Sequence, residues 1–329
     1  MQNRRVPRLS AIVPATNAPP TLVACLAALE AAAEPPDEVI VVERASAPGP
    51  GAARNEGAER AGGDVLVFVD ADVVVHDDAF ARIRKAFADD DGLDALFGSY
   101  DDAPAADGVV SGFRNLLHHY VHQSSAGEAA TFWAGLGAVR KAAFDAEGGF
   151  DAARYPEPSV EDIELGMRLV ASGRRIRLDP KIQGTHLKAW TLAGMLRTDF
   201  SRRGVPWVEL LLERPGSTNA LNLGWRHRLS AAAAVSGTVA LLASRPRSAL
   251  AAAAALVLLN ADFYALLGRR LGPSGAAAGV GLHALHHLAG AAAVPAGALR
   301  YWTSATSRSA STVSPSSWYS ASTFTDHTS

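Results

Sequence analysis

The sequence predicts an α/β fold: a doubly wound, mostly parallel sheet followed by C-terminal hydrophobic helices. Three observations predict it. Short apolar runs alternate with Ala-rich helical patterns through the first 70 residues. One run, "DVLVFVDAD" (64–72), is apolar at every position from 65 to 69, as a strand buried on both faces must be, and it ends in two carboxylates. After Arg228, charged residues become sparse.

The elements follow in order. "LSAIVPA" (9–15) reads as a strand, "TLVACLAALEAAA" (21–33) as a helix, "DEVIVVE" (37–43) as a strand, "GAARNEGAERAG" (51–62) as a helix and "DVLVFVD" (64–70) as a strand. Sheets of this kind hold ligands beyond the carboxyl ends of their strands. Pro14 to Asn17, Glu43 and Asp70 to Asp72 all fall at those ends, so three loops converge on one crevice. Two carboxylates on a short turn can hold a hard divalent cation, Mg²⁺ or Mn²⁺, that keeps positions open for phosphate oxygens. Asp-x-Asp alone is common in solvated loops; its weight here comes from the buried strand before it. Further on, Glu161 and Asp162 begin a helix whose apolar positions Ile163, Leu165, Met167 and Leu169 hold it to the core. Acidic residues in a first turn also complement the helix dipole, so the pattern leaves capping and catalysis both open.

With 329 residues, 48% hydrophobic and 19% charged, the chain has core enough for one large or two ordinary domains. The net charge of −2 conceals a split: −6 up to Arg228 and +4 after it. Beyond Arg228 come 16 uncharged residues, then 21 between Arg247 and Arg269 interrupted by Asp262 alone, then 29 between Arg270 and Arg300. About 20 apolar residues cross a bilayer, so two or three membrane-associated helices are expected over 229–302. An Ala-rich soluble bundle is the alternative, because Gly272, Pro273, His283, His286, His287 and Pro295 interrupt the third stretch. Residues 1–228 form the expected soluble domain, and 303–329, with 16 Ser or Thr, a disordered tail. The opening "MQNRRVPRLSAIVPA" is no cleavable signal peptide, so the domain is expected in the cytoplasm. Cys25 permits no internal disulfide and reads as a core residue.

The pieces "IVPATN" (12–17), "DEVIVVE" (37–43), "GAARNEGAERAGGDVLVFVDAD" (51–72), "FWAGLGAVRKAAFDAEGGFD" (132–151), "VEDIELGMRLVASGRRIRLDP" (160–180) and "THLKAW" (185–190) occur in the order of the family 2 glycosyltransferases. The chain resembles that family over about residues 9 to 210. The resemblance implies the GT-A nucleotide-sugar fold and inverting transfer of a sugar from a nucleoside diphosphate sugar to a hydroxyl acceptor. It implies a metal site at Asp70, Asp72 and His186 for Mg²⁺ or Mn²⁺. Donor-binding positions are Pro14, Asn17, Glu43, Arg54, Asp70 and Lys188. Asp162 is implied as the general base, Glu164 as support for a loop or the acceptor side, and Gly135, Gly137 and Glu161, with Arg140 nearby, as the acceptor side. A membrane-anchored enzyme meets a lipid-linked acceptor in two dimensions, so such an acceptor is expected, and no nucleic-acid partner is.

Departures narrow the expectation. The second strand ends Glu43-Arg44 where the family has two acidic residues, which leaves the nucleobase open. "SRRGVPW" (201–207) keeps Arg202, Arg203 and Trp207 without the "QxxRW" spacing of polymerising members, so single-sugar transfer is expected. No "GxGxxG" follows the first strand and no "GxxxxGK[ST]" occurs, which argues against dinucleotide and P-loop enzymes. His118, His119 and His122 lack the Glu of a zinc-binding "HExxH". The rival from another class is a catalytically silent, membrane-anchored nucleotide-sugar-binding protein.

Overall fold

The computed structural model describes residues 6–214 and 224–311, so the Ser/Thr-rich tail lies outside the described residues beyond Ser311. Eight strands form one sheet: β1 (Leu9–Pro14), β2 (Glu38–Val42), β3 (Val65–Val69), β4 (Val73–Val75), β5 (Ala95–Tyr100), β6 (Gly127–Ala129), β7 (Leu136–Arg140) and β8 (Ile176–His186). Their spatial order is β2-β1-β3-β7-β5-β8-β4, with β6 beside β8. The sheet is mixed. β1 runs parallel to β2 and β3, and β5 parallel to β8, while β7 opposes β3 and β5, and β4 and β6 oppose β8. Register pairs Pro14 with Val42 and Ile12 with Phe68, so the carboxyl ends of β1, β2 and β3 finish level.

The apolar string of β3 is buried at all five positions. Phe68 sits among Phe132, Phe144 and Phe150 at centroid distances of 5.2 to 6.5 Å, and burying each ring contributes about 1.5–3 kcal/mol. Helices cover the sheet: α1 (Leu22–Ala31), α2 (Pro50–Arg60), α3 (Ala79–Asp89), α4 (Val109–Gln123), α5 (Lys141–Ala146) and α6 (Glu161–Ala171). α2 begins where Gly49 takes φ +96° and Pro50 occupies the first helical position, whose missing N–H costs nothing there. Cys25 of α1 is fully buried; burial raises its thiol pKa to about 12, so it is an inert core residue.

After the sheet come α7 (Leu192–Arg197), a π-helical turn (Thr198–Gly204), α8 (Val205–Glu213), α9 (Trp225–Leu242), α10 (Pro246–Leu259) and α11 (Ala261–Ser311). α9 and α10 form an antiparallel hairpin that turns at Ser244 (φ +54°) and is tied at its base by a 2.8 Å hydrogen bond from Asn260 to Ser230. The second uncharged stretch is therefore two helices, parted at Asn260 (φ −124°, ψ 25°). α11 is broken in turn at Gly272 (φ +74°, ψ 175°). Its second half folds back along the first: Gly275 lies against Leu271, Gly279 against Leu267, and His283 hydrogen-bonds the Tyr264 hydroxyl at 2.9 Å. Phe263, Leu266, Leu267 and Leu282 share a core with Phe113, Leu116 and Leu117 of α4. Ion pairs Arg270–Asp102, His286–Asp199 (2.8 Å) and Arg300–Glu209 (2.9 Å) bridge the boundary expected at Arg228. Over Ala261–Ser304, α11 is long and apolar enough to cross a membrane by length and composition alone; no other described helix is.

Candidate active site

The crevice at the level strand ends is organised by Arg54, a buried residue of α2. It donates to Asp70 Oδ1 at 2.7 Å through Nη2 and to Glu161 Oε1 at 3.0 Å through Nη1. One guanidinium thus joins the end of β3 to the start of α6. The second Glu161 oxygen accepts the Ser159 N–H at 2.8 Å, and the Ser159 hydroxyl donates to the Arg202 carbonyl of the π-helical turn at 2.7 Å. Glu161, 5% exposed, therefore braces the junction and does not face an acceptor.

Asp162 stands next to this brace. Its carboxylate accepts the Ala134 N–H at 3.2 Å and the Ile163 N–H at 2.8 Å. Burial and the charge of Glu161 push its pKa up to about 6, against the pull of Arg203, Arg54 and the Ala134 N–H. The helix holding it is seated closely: a Cβ at Gly166 would stand 2.2 Å from the Phe132 nitrogen, so only glycine admits that approach.

Asp72 meets His186 at 3.6 Å, across the β4–β8 pairing that sets Val73 opposite His186, and its carbonyl accepts the Leu187 N–H at 2.8 Å. Burial raises the Asp72 pKa, but the contact with His186 and the charges of His186 and Lys188 outweigh it and hold the carboxyl low. At Asp70 burial prevails: the carboxyl is pushed up, Arg54 pulls it back, and the Asp72 charge adds to the push. The His186 ring lies flat on Tyr100, 4.1 Å between centroids and 8° between planes, and Trp133 meets Tyr100 edge-on at 4.9 Å.

No three His, Cys, Asp or Glu side chains converge as a ready metal cage among the described residues. The donor set nevertheless fits a cation held jointly with a diphosphate. Two adjacent carboxylates repel each other without a counter-charge, His186 touches one of them, and Mg²⁺ is commonly bound by one or two carboxylates plus phosphate oxygens.

The remaining sequence candidates divide. Pro14 at the end of β1 and the exposed Asn17, Glu43 and Lys188 border the crevice, with Lys188 Nζ 4.7 Å over the Trp190 ring. At Gly135 a Cβ would meet the Trp133 ring at 2.4 Å, and one at Gly137 would meet the Trp133 carbonyl at 2.2 Å, so both glycines are required by the protein's own packing. Arg140 is corrected: it pairs with Val65, at the opposite end of β3 from Asp70, and donates to the carbonyls of Leu93, Phe87 and Asp90. Glu164 pairs with Arg168, which donates to the carbonyls of Glu147 and Gly149, so it supports that loop. His119 and His122 bond the carbonyls of Tyr100 and Gly98, and His122, pushed down to about 4 by burial, is a packed neutral ring.

Sequence reasoning missed Tyr100, Trp133 and Asp101. "ALFGSYDD" (95–102) ends an apolar strand in two acids just as "VLVFVDAD" does, and that parallel was the available signal. Asp101, 6% exposed, accepts from His76 at 2.9 Å and from the Thr185 hydroxyl, which locks β5 to β8 beside the crevice. A cleft of about 210 Å³ lined by Tyr155, Ser159, Arg202, Glu209 and Arg300 opens next to the start of α6. A shallower groove of about 420 Å³ along α3 shares no residue with the site.

Comparison with known proteins agrees with this geometry. The fold is similar to a mannosyltransferase from Pyrobaculum calidifontis solved with GDP-Man and Mn²⁺, at 17% identity and a TM-score of 0.51, covering 88% of this chain and 87% of that one. Weaker likenesses are GalNAc-T7 with UDP, GalNAc and Mn²⁺ (13% identity, TM-score 0.45, 71% of this chain and 51% of that one) and residues 1–349 of Staphylococcus aureus TarS (17%, 0.42, 85% and 90%). No curated protein matches the sequence. The family described as "Glycosyltransferase like family 2" matches residues 24–200, more than half of the chain, and the chain belongs to that family, with its GT-A fold.

Proposed function

We propose that the protein is a metal-dependent, inverting glycosyltransferase that moves one sugar from a nucleoside diphosphate sugar to a hydroxyl acceptor, lipid-linked, with its catalytic domain on the cytoplasmic face of a membrane. One observation carries the reading. A half-buried carboxylate raised to about 6, Asp162, stands one brace away from the Asp70–Asp72 pair. A general base is most effective with a pKa near the working pH.

Asp162 takes the proton of the acceptor hydroxyl as that oxygen attacks the anomeric carbon. The bond from that carbon to the diphosphate breaks from the opposite side, so the configuration inverts. Arg54 holds Asp70 in place, and Lys188 offers a positive charge to the leaving diphosphate. Mg²⁺ or Mn²⁺, held by Asp70 and Asp72 with His186 beside them, would neutralise the diphosphate oxygens. The Mn²⁺ and GDP-Man of the mannosyltransferase neighbour support this choice of cation and donor class.

The test is Asp162→Asn with a donor selected by thermal shift in the presence of Mn²⁺. Turnover should fall about 10²–10⁴-fold with donor affinity nearly intact, and the wild-type product should carry the anomeric configuration opposite to the donor's. Retained turnover, or a product with the donor's configuration, would sink the assignment.

A further inference from the structure

We infer that the chain is held to one leaflet of an acidic membrane by the apolar finger α9–α10, and that none of its described helices crosses the bilayer; the inference rests on the membrane association proposed above. The argument begins with α11. From Gly279, against Phe113 and Leu267, through the His286–Asp199 pair and Gly297 against Val208, to the Arg300–Glu209 pair, its second half is docked on the catalytic fold. At 1.5 Å per residue that docked length is about 32 Å, as tall as the roughly 30 Å hydrocarbon core. A bilayer surrounding α11 would have to displace α4, the π-helical turn and α8, or bury Asp199, Glu209 and Arg114 in hydrocarbon. One face of α11 is thus a strut of the enzyme, while Val294, Leu299 and Trp302 elsewhere on the helix are 54%, 67% and 64% exposed.

The finger is different. Of its residues 225–259, only Ser230, Ala234, Ala240, Ala249 and Leu256 are buried. Val239, Leu241, Leu242, Leu250 and Leu258 are 58%, 68%, 83%, 72% and 77% exposed, on a scale that soluble monomers do not leave in water. These side chains point away from the α9–α10 seam on more than one side, as a helix pair immersed in lipid does and a single docking face does not. α10, at 14 residues, and the uncharged 14 residues of α9 from 229 to 242 each reach about 21 Å, short of the hydrocarbon core.

Charge completes the case. Arg226 and Arg228 stand at the base of the finger, and Arg245 and Arg247 at its tip, with no Asp or Glu from 225 to 261. A finger lying along one leaflet sets the tip pair Arg245 and Arg247 at the level of lipid phosphates, where long basic side chains reach the interface and acidic lipids attract them, while Arg226 at the base donates to the Leu259 carbonyl at 2.7 Å.

Cys25 is the only thiol and is fully buried, so an introduced cysteine reports cleanly. Full-length Ser244→Cys, at the tip, and Asp107→Cys, exposed on the catalytic domain, are labelled with a membrane-impermeant maleimide in sealed inverted vesicles. Both should react without detergent. In flotation, purified protein should bind phosphatidylcholine vesicles containing phosphatidylglycerol, and Arg245→Glu with Arg247→Glu should weaken that binding on the order of tenfold or more. If Ser244→Cys reacts only after permeabilisation, the finger crosses and this inference fails while membrane association stands. If the protein does not float with these vesicles, or the finger pairs copies into a lipid-free dimer, both fail.

Discussion

Arg54 donates one nitrogen to Asp70 at 2.7 Å and another to Glu161 at 3.0 Å, and so ties the end of β3 to the first turn of α6 through a buried guanidinium. The two halves of the proposed chemistry, leaving group and base, are set at a fixed separation by this one side chain. Its removal would leave two acidic groups near Asp162 without their counter-charge. Arg54→Met should destabilise the fold by about 3–5 kcal/mol at neutral pH, because breaking a buried pair strands the partner charge. Adding Glu161→Gln should recover part of the loss. Denaturant unfolding of the single and double variants checks both; additive losses would show that the brace carries no coupling.

Donor binding should require a divalent cation. Asp72→Ala should abolish the Mn²⁺-dependent part of nucleoside diphosphate binding, read by calorimetry with and without chelator. Unchanged affinity would remove Asp72 from the metal site.

The pH profile follows from Asp162. Its pKa is raised to about 6 by burial and Glu161, with Arg203, Arg54 and the Ala134 N–H opposing, and the base must be ionised to act. kcat/KM should fall as pH drops through about 6, or lower where a bound cation adds its pull, and level off above it. Stability has the opposite sign. The folded state holds this proton more tightly than the unfolded chain, so Asp162 leaves stability unchanged at low pH and costs stability as pH rises from about 4 to 6. Asp162→Asn should therefore melt no lower than wild type at pH 8 while losing turnover; a large drop in Tm would mean that the carboxylate is structural.

Gly137 separates packing from acceptor binding. Its Cβ would stand 2.2 Å from the Trp133 carbonyl and 2.6 Å from the Phe132 ring, so Gly137→Ala should cost about 1–3 kcal/mol through overpacking. Gly281→Ala, where nothing lies within 4 Å, serves as the neutral control. An acceptor KM that rises with Tm unchanged would return Gly137 to the substrate side.

The sequence by itself determined the first three strands and the two helices between them. The alternation up to Asp70 appears as β1, α1, β2, α2 and β3 within a residue or two, because the strand and helix periods are local properties of side-chain spacing. It also marked Asp70 and Asp72, since polar groups at the end of a buried strand stand out against their neighbours; Asp162 and His186 were marked by the family resemblance. What only the tertiary structure decided depends on partners distant in sequence. Glu161 and Asp162 are chemically alike neighbours, yet Arg54, 107 residues before Glu161, occupies one and leaves the other beside the crevice. Gly135 and Gly137 read as space for a substrate, and only the fold shows that Trp133 and Phe132 also press on them. Most of all, the uncharged stretches after Arg228 are equally suited to lipid and to protein. The fold divides them: α11 finds Asp199, Glu209 and Phe113 to cover its inner face, while α9 and α10 pack on each other, touch α11 and α4 near their base through His227 and Arg226, and leave their leucines exposed, because burial is a relation between surfaces and not a property of either one.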